Sequence, residues 1–234
     1  MLASYPAPLR LWLERGNVPV TNFRDGARSA RVASVTEVLK PRRDAAAMLE
    51  KAIAEWGGDD DLWIFGYGSL IWRPDFDFME RRPARVHGWH RALKMWSRIN
   101  RGTPERPGLV FGLLTGGCCR GMVFRVRKEH GAEILTRLWS REMATAVYDP
   151  KWLSADTPEG TVRALAFTLS RKSPSHTGEL SEEEYRAIFA FASGIYGTTL
   201  DYAHRTLEEL RRHDIRDRNL EKLLRLIQAD REKA

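Results

Sequence analysis

From Leu62 to Val126 the chain presents five short apolar or alternating runs set off by glycines, and directly after them the hydrophobic period lengthens to that of a helix. The runs are Leu62–Phe65, Ala84–Gly88, Arg91–Arg98, Leu109–Leu114 and Gly121–Val126. Short strands at such spacing predict a sheet that curls on itself or closes into a barrel. Glu129–Met143 then places Ile134, Leu135, Leu138 and Trp139 at helical spacing, so a helix is expected to lay that face on the sheet. Val162–Leu169 predicts another strong strand, whereas Pro150 in Tyr148–Leu153 argues for an edge strand or a loop.

Helices are expected around this sheet. From Asp44 the pattern AAAMLEKAIAEW carries Met48, Leu49, Ala52, Ile53 and Trp56 on one face, and Gly57-Gly58 stops it. Ser181 followed by Glu184 three residues later forms a capping box, and further helices are expected over Thr199–His213 and Leu220–Asp230. The predicted class is α+β, with a mixed, curled or barrel-like sheet surrounded by helices. At 234 residues this is one large domain. Residues 1–44, punctuated by Pro6, Pro8, Pro19 and Pro41, read as an irregular extension, and 45–234 as the folded domain. The leader through residue 43 holds no residue the chemistry below requires and is expected to be dispensable for it.

Composition narrows the function. Hydrophobic residues make up 43%, enough for a core, and no run approaches the roughly 20 apolar residues of a membrane span. No clean secretory leader is visible either, so a cytoplasmic location without a membrane partner is expected. The net charge of +7 suggests nucleic acid until it is located: residues 1–43 hold eight Lys and Arg against three Asp and Glu, and the remainder thirty against twenty-eight. A surplus concentrated in the leader predicts no nucleic-acid partner. Cys118 and Cys119 are adjacent, which excludes a disulfide framework, and they read as small packing residues. His87 and His90 lack a third ligand, so no metal is expected.

The loop Gly66-Tyr67-Gly68-Ser69 follows an apolar strand and precedes Leu70. Two glycines let a backbone approach a ligand and gather its N–H groups, either as an anion site or as a plain turn. It lacks the spacing of a phosphate loop, and Ser69 lacks the flanking pattern of a hydrolase nucleophile. Glu142 follows the apolar face Leu138-Trp139. It is either a desolvated carboxylate fit for proton transfer or the salt-bridge partner of Arg141 or another arginine.

FGYGSLIWRP (65–74), VHGWHRALKMWS (86–97), RGTPERPG (101–108) and the later REM (141–143) together resemble the ChaC-like γ-glutamylcyclotransferases, over roughly Leu62–Leu226. The tail segments LSEEEY (180–185) and IRDRNLEKL (215–223) resemble bacterial members. The resemblance implies an enzyme that closes a γ-glutamyl group to 5-oxoproline, releasing cysteinylglycine from glutathione and requiring no cofactor. It implies that Tyr67, Gly68, Ser69 and Leu70 hold the γ-glutamyl part, that Glu142 is the general acid and base, and that Tyr202 approaches the substrate. Arg98, Arg101 and Arg106 are candidates for the glycine carboxylate of glutathione. After the glutamate this chain reads Met143-Ala144-Thr145-Ala146, where many eukaryotic members carry a glycine pair. Other γ-glutamyl amines or amino acids as substrates, and a non-catalytic γ-glutamyl-binding module, are the alternatives.

Overall fold

A computed structural model describes residues 43–231 of the chain. The expected irregular extension therefore lies, apart from Arg43 and Asp44, outside the described residues. The first element is α1 (Ala45–Trp56), capped by the Asp44 carboxylate, which accepts from the N–H groups of Ala46 and Ala47, and ended by Gly57 at φ 83°. Strand β1 (Leu62–Gly66) leads into a four-residue helix α2 (Ser69–Trp72). Two long strands follow, β2 (Glu80–Ser97) and β3 (Gly108–Val126), then α3 (Lys128–Glu142), β4 (Asp149–Thr157) and β5 (Gly160–Thr168). The tail holds α4 (Glu182–Phe191), the two-residue strands β6 (Ser193–Gly194) and β7 (Gly197–Thr198), α5 (Thr199–Arg212) and α6 (Arg218–Arg231).

The sheet closes as a barrel in the order β1-β3-β2-β4-β5. Strands β1 and β5 run parallel, with Trp63 opposite Ala164, while β1–β3, β2–β3, β2–β4 and β4–β5 are antiparallel. This is the mixed barrel with surrounding helices that the strand spacing predicts. Phe65, Ile64, Leu113, Phe124 and Phe167 are fully or almost fully buried at its centre. The capping box at Ser181–Glu184 is present, and a second one, Thr198–Asp201, starts α5.

Two expectations are corrected. The runs Ala84–Gly88 and Arg91–Arg98 are one strand, and so are Leu109–Leu114 and Gly121–Val126. Gly88, Gly116 and Gly117 have positive φ, but they sit where the β2–β3 register shifts between His87 and Trp89. They bend a continuous ladder as bulges instead of reversing the chain. Tyr148–Leu153 contributes to a paired strand, with Pro150 opposite Phe167. On its β2 side β4 pairs only at Ala155 and Asp156, so the Pro150 end lies at a locally open edge where a missing N–H is tolerated.

Candidate active site

A cleft of about 1120 Å³ opens where α2, the end of β2, the end of α3 and the segments flanking β4 and β5 converge. Seven cationic side chains and three carboxylates line it, so it favours an anionic ligand.

Glu142 enters this cleft because of its spacing in α3. It lies four residues after Leu138 and seven after Leu135, on the stripe that buries those leucines, so the packing that docks the helix carries the carboxylate inward. Only 15% of its side chain is exposed. Burial raises its pKa above the ordinary carboxylate value, and Asp75 adds to the rise. The helix C-terminus, rich in unpaired carbonyls, is a further unfavourable place for an anion. Arg141 opposes these effects through an ion pair of 3.0 Å, and the net displacement is upward. Glu142 is therefore both desolvated and paired with Arg141.

Arg141 is the hub of the site. Its Nε meets Glu142 Oε1, its Nη2 donates to Ser69 Oγ at 3.0 Å, and its Nη1 reaches Asp75 Oδ2 at 3.0 Å and the Arg73 and Pro74 carbonyls. Asp75, at φ 58°, also pairs with Arg73 at 2.9 Å, and its carbonyl accepts from Arg137. The glutamate and the glycine-bearing loop are thus joined through one guanidinium, although 72 residues separate Ser69 from Arg141.

Ser69 and Tyr202 line the cleft with Glu142, while Tyr67, Gly68 and Leu70 are buried behind that lining. Tyr67 Oη donates to the Phe167 carbonyl at 2.6 Å, which fixes the loop to β5. Tyr202 projects from α5 against Phe111 and Trp72, with ring centroids 5.3 Å and 6.3 Å away. Its hydroxyl accepts from Phe111 N–H at 3.3 Å and keeps its own proton to donate; burial pushes its pKa up to about 12, so it stays a phenol. A Cβ on Gly68 would come within 2.8 Å of that hydroxyl, which explains why this position is glycine. Glu142 raises the pKa of Tyr67, Tyr148 and Tyr202 alike, marking one buried cluster around the carboxylate.

The candidate arginines separate. The Arg101 guanidinium is committed to the Tyr196 and Thr198 carbonyls and lies 5.1 Å over the Tyr202 ring. Arg106 is exposed and does not line the cleft, whereas Arg98 does. Arg43, within the stretch expected to be dispensable, also lines it and holds Asp149 and the Tyr148 carbonyl. Sequence reasoning missed Asp75, Arg73 and Tyr148. Pro74-Asp75 after an arginine was a turn signal that could have pointed to Asp75. Ala146, in the segment departing from the eukaryotic pattern, has φ 49°, a conformation glycine adopts without strain.

Cys119 packs in β3 opposite Val86, its thiol pushed up to about 11 by burial, as a small packing residue would be, whereas Cys118, opposite His87, is exposed and does not pack in the core, which corrects the expectation for that residue. His87 faces Asp156 at 3.4 Å and His90 bonds the Gly116 carbonyl, and among the described residues no cluster of three metal-ligating side chains occurs.

The sequence pattern of the ChaC-like protein family matches residues 62–230. The chain belongs to that family. It is 35% identical over 180 residues to the glutathione-specific γ-glutamylcyclotransferase of Escherichia coli strain K12, covering 76% of this chain and 78% of that protein. It is 36% identical over 154 residues to glutathione-specific γ-glutamylcyclotransferase 1 of Mus musculus, covering 63% and 69%. The crystal structure of a γ-glutamyl cyclotransferase specific to glutathione from yeast superimposes with a TM-score of 0.66 at 20% identity, over 73% of this chain and 97% of that one. This fold is therefore the family's own. Among the described residues no helix is long and apolar enough to cross a membrane.

Proposed function

We propose that the chain is a glutathione-specific γ-glutamylcyclotransferase in which Glu142 moves the protons. The observation that carries this reading is the Arg141 guanidinium, which holds the Ser69 hydroxyl and the Glu142 carboxylate on one cleft wall at 3.0 Å each. Membership of the family and the two named relatives support the same substrate.

In a γ-glutamyl peptide the α-amino nitrogen can reach the γ-carbonyl carbon and form a five-membered lactam. Nucleophile and electrophile share one molecule, so selecting the folded-back conformer removes much of the barrier. An α-amino group is largely ammonium at neutral pH and cannot attack until a proton leaves. Glu142 takes that proton, the new C–N bond forms, and the old C–N bond to cysteine breaks. Glu142 delivers that proton to the departing nitrogen, takes the second proton that the attacking nitrogen must lose, and passes it to the released amine, so the lactam keeps one N–H, cysteinylglycine leaves with an ammonium and the carboxylate is restored. No water is consumed and no covalent enzyme intermediate forms.

A carboxylate with a raised pKa suits both halves of this cycle, because it binds and releases a proton closer to neutrality than a solvated glutamate does. The Ser69 hydroxyl, already accepting from Arg141, and the Tyr202 hydroxyl, already accepting from Phe111 N–H, both retain a proton to donate to the glutamyl head.

Incubation with glutathione followed by mass spectrometry tests the reading. Equimolar 5-oxoproline and cysteinylglycine are expected, and slower turnover of other γ-glutamyl amines. Intact glutathione after prolonged incubation, alongside turnover of another γ-glutamyl compound, would reassign the substrate.

A further inference from the structure

The arginines of the cleft are not equivalent. Arg43 holds Asp149, Arg73 holds Asp75, Arg101 holds two backbone carbonyls, Arg137 holds the Asp75 carbonyl, and Arg141 holds Glu142 and Asp75. Lys172 is exposed. Arg98 differs from all of these. It is half-buried in the cleft wall just after β2, and no acceptor among the described residues engages its guanidinium. Burial alone lowers its pKa, with no carboxylate to offset the effect.

A guanidinium that has lost part of its hydration without gaining a partner costs stability, and a ligand anion supplies what the fold withholds. The wall that carries it is held in place: Trp96 N–H donates to the Ser175 carbonyl at 2.9 Å, and Arg101 N–H to Ser97 Oγ at 3.0 Å. The same cleft is lined by Ser69, Arg141, Glu142 and Tyr202, where the glutamyl head is placed above.

We propose that Arg98 binds the carboxylate at the far end of the leaving dipeptide, the glycine carboxylate of glutathione, and so sets the preference for substrates that carry one. This rests on the glutathione reading and extends it to the leaving group. Arg98 takes no part in the proton transfers, so its contribution is uniform binding, which appears in KM and not in kcat.

Steady-state release of 5-oxoproline from glutathione and from its glycine-carboxyl ethyl ester decides the matter, measured for the unaltered chain, Arg98→Met and Arg98→Lys. A charge-assisted hydrogen bond of ordinary strength predicts that Arg98→Met raises KM for glutathione about 10- to 100-fold while kcat stays within about threefold. On the ester, the unaltered chain and Arg98→Met are expected to share one raised KM, and Arg98→Lys to recover part of the loss on glutathione only. The ester penalty in the unaltered chain needs no variant to fold, so it stands by itself: its absence overturns the proposal. An unchanged KM for Arg98→Met on glutathione overturns it too, as does an equal rise on both substrates. In each of those cases 5-oxoproline release by the unaltered chain leaves the glutathione reading intact. If the unaltered chain releases 5-oxoproline from neither compound, that reading fails and the assignment of Arg98 falls with it.

Discussion

Glu142 illustrates how a single position combines opposed demands. Its apolar stripe buries it, its helix end repels an anion, and Arg141 keeps it ionisable, with burial prevailing. A carboxylate whose pKa is higher in the folded than in the unfolded chain leaves stability intact below the unfolded value of about 4.3 and withdraws it as pH rises through the folded value. Glu142→Gln removes the titration, so the melting temperature of the variant minus that of the parent is expected to become more positive between pH 4 and pH 7. A difference that does not change with pH contradicts the raised pKa. In kinetics the same variant should still bind glutathione while turnover falls at least about 100-fold, because an amide cannot shuttle the proton. Normal turnover would reduce Glu142 to a salt-bridge partner. Gly68 is the second exposed point of the account. With Tyr202 Oη 2.8 Å from the place a Cβ would take, Gly68→Ala must displace that hydroxyl. A shift of about 1 Å at a positioning group predicts a loss on the order of 100-fold in kcat/KM, with circular dichroism unchanged. Activity within about threefold would show that Tyr202 does not position substrate.

At the scale of elements, α3 and the turn after α2 form one unit through Asp75, which holds Arg73 and Arg141 at once. Asp75→Ala leaves Arg141 with Glu142 as its one carboxylate, and the pair can then rotate away from Ser69. We expect kcat to fall about 10-fold or more with KM changed far less, the pattern of a lost positioning group. A KM effect alone would assign Asp75 to substrate binding instead. The contrast between what was and was not legible lies at this scale. The helical face of Ile134, Leu135, Leu138 and Trp139 is local information, so the burial of Glu142 could be anticipated. The merging of four predicted runs into β2 and β3 could not, because glycines at bulges and glycines at turns look alike without the partner strand. Asp75 was hidden for a related reason: its partner Arg141 lies 66 residues away, and only the folded barrel brings the two together. The choice of Arg98 among three candidate arginines likewise depends on which guanidinium the fold leaves unpaired.

On the scale of the whole molecule, the barrel and the C-terminal helices are locked by Arg91. Its guanidinium is buried, donates to the Tyr67 and Arg120 carbonyls, and pairs with Asp217 at 2.6 Å. Asp217 in turn caps α6 by accepting from Leu220 N–H, so one ion pair joins β2, the glycine-bearing loop and the last helix. Arg91→Met strands a largely buried carboxylate, a loss of about 3–5 kcal/mol for a pair of this kind. That corresponds to a melting temperature lowered by at least about 6 °C in a chain of this size. A shift below about 2 °C would mean that solvent reaches Asp217 freely. The tie also explains why a cleft assembled from distant segments can keep its donors aligned on a single substrate. In the proposed reaction the substrate supplies its own nucleophile, and the protein supplies geometry and a proton carrier. The most direct test of this claim is turnover of glutathione in water enriched in oxygen-18, with both products analysed by mass spectrometry. Intramolecular closure predicts 5-oxoproline without the label, accompanied by an equal amount of cysteinylglycine; labelled glutamate as the first product would contradict it, because it would place a water molecule where the α-amine should attack.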